Sequence, residues 1–167
     1  MLDSLLVEAA VPELVYASWL RRILSGLIDS AALWFVTTPF SGTARSHLFT
    51  KGAEASGNDL RTVLVVHVLA VVIYMTAFHA WRGSTPGKMA ARTVLVCDDG
   101  SRVSPPVAFV RAVTLAGIQF ASAFLIAPMI VNELRPLWTP RRQTWHDAVA
   151  RTVVVTAESL PPQNLTV

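Results

Sequence analysis

Charge is scarce in this sequence. Only 15% of its 167 residues are Asp, Glu, Lys or Arg, where soluble domains carry roughly 25%. Hydrophobic residues make up 53%, and mean hydropathy is +0.49. The length suits one domain, but a water-soluble chain this short and this apolar could not cover its own surface. Cysteine is nearly absent. Cys97 stands alone, which excludes an intramolecular disulfide and any multi-cysteine metal site. The N-terminal stretch MLDSLLVEAAVPELVYASW carries Asp3, Glu8 and Glu13 and no basic region ahead of an apolar one. It lacks the pattern of a cleavable signal, so the first apolar span is expected to be retained. Internal repeats and low-complexity tracts are not evident. A nucleophile–base set and a metal cluster are missing too, so neither an enzyme nor a cofactor is expected.

The missing charge is missing in blocks. Between Ile23 and Phe40 the only charge is Asp29; between Thr62 and Trp81 there is none; between Val107 and Val131 there is only Arg111. Each block has about the 20 residues needed to cross a hydrocarbon core of roughly 30 Å. The basic residues flank these blocks instead of forming a face, and that turns a pI near 9.6 away from nucleic-acid binding. The lipid bilayer is the expected partner.

Between the blocks, Trp19, Arg21 and Arg22 read as an interfacial anchor, and the first span is expected to end near Pro39. Residues 41–61 read as a polar loop. In residues 83–106, TVLVC is β-prone, Asp99-Gly100 is a hairpin-type turn signal, and Arg102-Val103 could return as a strand. A second β-prone run, Arg151–Val155, follows, and pairing it with Thr93–Cys97 would satisfy backbone groups of both. The organisation expected is a tail or interfacial helix over 1–20, a membrane domain over 21–155 and a disordered tail over 156–167. The fold class expected is all-α membrane, with three to four transmembrane or re-entrant helices and a small cytoplasmic β-hairpin.

Loop 82–106 (Arg82, Lys88, Arg92, Arg102) and the tail after Val131 (Arg135, Arg141, Arg142, Arg151) carry the most basic residues, so both are expected in the cytoplasm with the N-terminus. Three full crossings would put the tail outside. A turn at Pro128, with a re-entrant return through Asn132–Trp138, resolves the conflict.

Asp29 is the most informative residue. Arg22, Ser25, Gly26 and Asp29 share one helical face, with Asp29 roughly 10 Å into the span. A carboxylate there costs on the order of 2.5–3.5 kcal/mol and must face protein or water. It is either a proton or cation site, or half of a buried ion pair with Arg22 or Arg111. His67, Tyr74 and Trp81 form a polar stripe on the second span, and Arg111, Gln119 and Ser122 form one on the third. Both suit either a pathway or helix contacts. Gly83-Ser-Thr-Pro-Gly87-Lys88 fails the spacing of a phosphate loop, and Met89 stands where Ser or Thr would hold magnesium. His146-Asp147 reads as an acid/base or metal pair, or as a tether of the tail to the membrane domain.

Three motifs together resemble the RDD family of bacterial membrane proteins, named for one arginine and two aspartates. They are RRILSGLID, GSTPGKMAARTVLVCDDG followed by Arg111, and RQTWHDAVARTVVV. The resemblance runs from Trp19 to Val155 and implies that Arg22, Asp29 and Asp147 are the named triad, with Arg111, Lys88, His146 and Tyr74 in support. Pro86 stands where many relatives carry an apolar residue, and Arg151 replaces a usual glycine. The resemblance implies the bacterial plasma membrane and transport of an ion or small ligand, with sodium/proton antiport attributed to some members. The competing expectation is a non-transporting assembly or scaffold subunit. A chain this small is expected to form homo-oligomers or join another membrane protein, and Gly26-x-x-x-Ser30 suits close helix contact.

Overall fold

The computed structural model describes residues 14–160, so residues 1–13 of the expected N-terminal tail or helix lie outside the described residues. The chain then runs as α1 (Trp19–Lys51), α2 (Gly57–Arg82), α3 (Pro86–Ala90), β1 (Thr93–Cys97), α4 (Pro105–Ser122), α5 (Ala127–Leu134), α6 (Trp145–Val149) and β2 (Thr152–Thr156). It is mostly helical, and α1 and α2 are long and apolar enough to cross a membrane.

Helix α1 is largely polar inside and apolar outside. On α1 the buried residues are Arg22, Ser25, Asp29, Leu33, Thr37, Ser41 and Ala44, at steps of three and four. Its outward face carries exposed Leu20, Leu24, Leu27, Trp34, Phe35 and Phe40. A helix on a water-soluble domain shows the reverse. Here the apolar faces suit hydrocarbon, and the polar groups find partners within the protein.

Helix α1 does not stop at Pro39. The polar stretch expected as a loop continues it to Lys51, giving about 50 Å at roughly 1.5 Å per residue. Proline removes one N–H donor and leaves the rest of the ladder intact. The Thr37, Thr38 and Ser41 hydroxyls donate back to the carbonyls of Leu33, Trp34 and Thr37. Arg45 donates to the Thr37 and Thr38 hydroxyls and lies over the Trp34 ring, 5.4 Å from its centroid. Polarity here therefore marks a helix end emerging from the apolar layer.

The third apolar region is divided. Helix α4 ends at Ser122, the chain turns over residues 123–126, and Pro128 sits in the first turn of α5. The return thus starts earlier than the expected Asn132. It brings α5 back to the start of α1, where the Trp19 indole donates to the Glu133 carbonyl at 2.9 Å.

The sheet is not a hairpin. β1 pairs antiparallel with β2, Leu95 opposite Val154 at the centre. The expected return through Arg102 is a single bridge to Val96. Val94, Val96, Val153 and Val155 pack on one face with Leu160; Leu95 and Val154 pack on the other with Ala17, Val103 and Ala108. Ala157–Ser159 form a 3-10 turn and Leu160 is buried, so folded chain runs on past the boundary expected at Val155.

The structure also contains an internal repeat that the sequence did not display. Thr85–Cys97 and Thr144–Thr156 superpose in register as short helix then strand, sharing Thr85/Thr144, Ala91/Ala150, Arg92/Arg151, Thr93/Thr152, Val94/Val153 and Val96/Val155. Both threonines cap their helix through the backbone N–H three residues on. Arg92 and Arg151 both take a φ of 52°. The Thr93 and Thr152 hydroxyls donate to the carbonyls of Lys88 and Asp147 at 3.3 Å each. The equivalence extends outward. Tyr16, just before α1, bridges to Val155 as Arg102, just before α4, bridges to Val96. The order α1-α2-α3-β1 recurs as α4-α5-α6-β2, and the strand pairing sets equivalent residues, Leu95 and Val154, opposite each other. In the second half the hairpin helices are much shorter.

Candidate functional site

Two buried carboxylates organise the interior. Asp147 is fully buried at the third position of α6, where Thr144 and Asp147 cap the helix reciprocally. Strand pairing inserts α6 between the bases of α1 and α4. Arg22 Nη1 donates to Asp147 Oδ2 at 2.8 Å, and Arg111 donates to Oδ1 through Nε at 2.9 Å and Nη2 at 2.8 Å. Burial alone would raise the Asp147 pKa, but Arg111, helped by Arg22, holds the carboxyl well below the usual range. Burial, reinforced by Arg111, pushes His146 down to about 3, so its ring is neutral at pH 7. Its Nε2 lies 3.1 Å from the Thr144 hydroxyl, and its Nδ1 is buried with no partner among the described residues.

Asp29 takes no arginine. Both candidate partners, Arg22 and Arg111, are committed to Asp147. A helical side chain leans toward the helix N-terminus, so Arg22 reaches toward the sheet and away from Asp29, two turns further on. Neutral donors hold Asp29 instead: the Tyr74 hydroxyl at 2.8 Å, the Thr85 hydroxyl at 2.6 Å and the Gly87 N–H at 2.8 Å. This explains the glycine-rich segment. Gly83, at φ 64°, ends α2 in the left-handed conformation. Gly87 brings the α3 backbone against α1, where an added Cβ would collide with the Ser25 carbonyl oxygen.

Lys88 follows Gly87 and is 7% exposed. Burial, with Arg111 adding repulsion, pulls its pKa down to about 8. A cavity of about 260 Å³ opens between α1, α4, α5 and the two short helices, its wall including Arg22, Asp29, Lys88, Arg111, Glu133 and His146. The cavity lies where the symmetry fails. Long α2 covers α4 in one half, whereas α5, of 8 residues, leaves the equivalent flank of α1 open.

Of the triad, Arg22 and Asp29 line one cavity with Arg111, Lys88 and His146, whereas Asp147 is fully buried behind the two arginines it binds, and Tyr74 is bonded to Asp29. The expected polar stripes divide. His67 Nε2 lies 3.2 Å from Gln119 Oε1, joining α2 to α4, whereas Trp81 is exposed under the Arg82 guanidinium. Ser122 bonds only its own helix, at the Ile118 carbonyl. Sequence reasoning missed Thr85 and Thr144. The spacing Thr144-x-x-Asp147, a capping-box signature, could have revealed the second. Among the described residues no cluster of His, Cys, Asp and Glu could hold a metal ion.

No curated protein and no solved structure matches this chain. The model of the RDD family does, over residues 16–151. That stretch contains both arginines of the ion-pair cluster, both aspartates and the α3 and α6 repeat, and the chain belongs to the RDD family.

Proposed function

We propose that this membrane protein moves a small ion or polar solute by way of the cavity between its two halves, as a transporter and not as an enzyme. The carrying observation is that the cavity sits at a repeat interface, among buried charges. Transporter folds with parallel repeats place their substrate sites there. Arg22 and Arg111, held in place by Asp147 behind them, form its fixed wall. Asp29 is the coupling group, because protonating it would turn one acceptor oxygen into a donor and weaken the bonds that tie α3 and α2 to α1. The pairing of β1 with β2 supports a common side for loop 82–106 and the tail, and their basic residues favour the cytoplasm of a bacterial cell as that side. The N-terminus joins them, and α4 with α5 enters the membrane and returns as a re-entrant hairpin.

Reconstitution into proteoliposomes tests the reading. Solute or proton flux by the wild type should be abolished in Asp29→Asn. A purified, folded wild type that supports no flux under any ion or proton gradient would sink it.

One observation favours a scaffold subunit as the second reading. Gly26 and Ser30 lie on the exposed flank of α1, and nothing stands within 4 Å of a Cβ placed on Gly26. Such a small-residue pair accepts a partner helix at close range. Disulfide cross-linking through Ser30→Cys in a Cys97→Ala background would reveal a homo-oligomer.

A further inference from the structure

Besides histidines, five ionisable residues are buried among the described residues: Arg22, Lys88 and Arg111 are basic, and Asp29 and Asp147 are acidic. The count leaves one positive charge over, and the geometry says which. Asp147 binds both arginines. Asp29 is enclosed by Tyr74, Thr85 and Gly87. Among the described residues Lys88 has no carboxylate within 4 Å, and its ammonium makes no hydrogen bond to any of them. The Lys88 side chain is buried and its unpaired ammonium faces only the cavity, a position that is unfavourable unless something there compensates the charge.

The internal repeat sharpens the point. Lys88 and Asp147 occupy equivalent positions in the two short helices, each third after a capping threonine and each held by a threonine of the following strand. Asp147 has its full set of counter-charges. Lys88 has instead the open cavity, and beside it the cavity wall carries the Arg22 and Arg111 guanidinium groups and His146.

We infer that the cavity binds an oxyanion of the phosphate class, with Lys88 as its principal ligand. The anion supplies the negative charge that the repeat provides at Asp147 and omits at Lys88. Phosphate or sulfate, carrying one or two charges and accepting from several donors at once, matches a wall of ammonium and guanidinium groups. The rest of the wall includes Ile23, Leu33, Met75, Leu115 and Met129, so the same chemistry can arrive as a free anion or as a lipid phosphate headgroup with its apolar chain. The carboxylates facing Lys88 (Asp29, Asp147 and, on α5, Glu133) do not replace the anion, because Asp147 is committed to its arginines, Asp29 to its neutral donors, and Glu133 makes no ion pair with Lys88. The inference rests on this cavity being the ligand site and does not need movement across the membrane.

Thermal unfolding of the purified full chain in neutral detergent tests it. Sodium sulfate and sodium phosphate are titrated against sodium chloride at equal ionic strength, and phosphatidic acid is added in a separate arm. Sulfate or phosphate should raise Tm saturably where chloride does not, and Lys88→Met should weaken the apparent affinity by about tenfold or more, while Lys88→Arg keeps it. A shift with phosphatidic acid alone identifies the source as a lipid headgroup. If Lys88→Met does not fold, the wild type still decides: the sulfate response must decline as pH rises through about 8, where Lys88 loses its charge. No shift in any arm, or an equal shift in folded Lys88→Met, overturns the inference. Flux without an anion-dependent shift overturns it and leaves the transport reading standing. A shift without flux does the opposite.

Discussion

Lys88 and Asp147 stand at the same place in two copies of one structural unit, and they carry opposite charges in unequal surroundings. The unit around each is the same: a capping threonine, one turn of helix, an arginine at φ 52°, and a buried strand that begins with threonine. What differs is what reaches the third helical residue. Two arginines, one from each long-helix base, converge on Asp147; an open cavity meets Lys88. Backbone equivalence thus carries the architecture, and side-chain asymmetry carries the chemistry. A transport or binding role asks for that division, since a site needs an unsatisfied group held rigidly.

The comparison breaks most visibly at Asp147. Asp147→Asn would leave Arg22 and Arg111 buried without a counter-charge, and loss of one partner in such a cluster costs about 3–5 kcal/mol. A large fall in Tm or in yield of monodisperse protein is expected. Stability equal to wild type would mean that the cluster does not hold the halves together. Gly87→Ala addresses the first half directly. The new Cβ meets backbone at Ser25, which cannot swing aside, so about 1–3 kcal/mol of destabilisation is expected, with α3 displaced from Asp29. His146→Ala, at the equivalent position of the second unit, should cost less, and thermal unfolding of the two variants side by side reads the difference.

Lys88 should respond in the opposite direction from Asp147. In anion-free detergent Lys88→Met is expected to stabilise the fold by roughly 1–3 kcal/mol, because it removes an unpaired buried charge. The pH dependence follows from a pKa that falls from 10.5 unfolded to about 8 folded. Below pH 8 the ammonium is charged in both states and its penalty is present in full. The penalty fades as pH rises from about 8 toward 10.5. The Tm gap between Lys88→Met and wild type should therefore narrow over that range, and a constant gap would contradict an unpaired ammonium. The smallest effect is at the paired turns. Arg92→Gly and Arg151→Gly each relieve a left-handed arginine and should each stabilise by about 0.5–1 kcal/mol, to a similar extent if the units are equivalent.

Much of this was legible in the sequence because it depends on local patterns. Blocks without charge marked α1 and α2, and β-branched runs between basic residues marked β1 and β2. Other readings failed where polarity served as a proxy for irregular structure. Residues 41–51 are polar yet helical, because side-chain hydroxyls and Arg45 satisfy the helix from within. The internal repeat went unseen because its identities cluster in one short stretch, and the long helices on either side share almost none.

By itself the sequence determined that the chain is a membrane protein, which residues are charged at depth, and that each such residue needs a polar environment. These follow from the cost of placing charge in hydrocarbon, which holds whatever the fold. It did not determine which charges meet. Asp29 and Arg22 share a helix face two turns apart, yet Arg22 pairs with a residue 125 positions away. That choice required β2 to dock beside β1 and carry α6 to the base of α1 and α4. Ion pairing depends on distances of a few ångströms between side chains from separate elements, and only the packed tertiary structure sets them. The same packing left Lys88 without a partner among the described residues, beside a cavity.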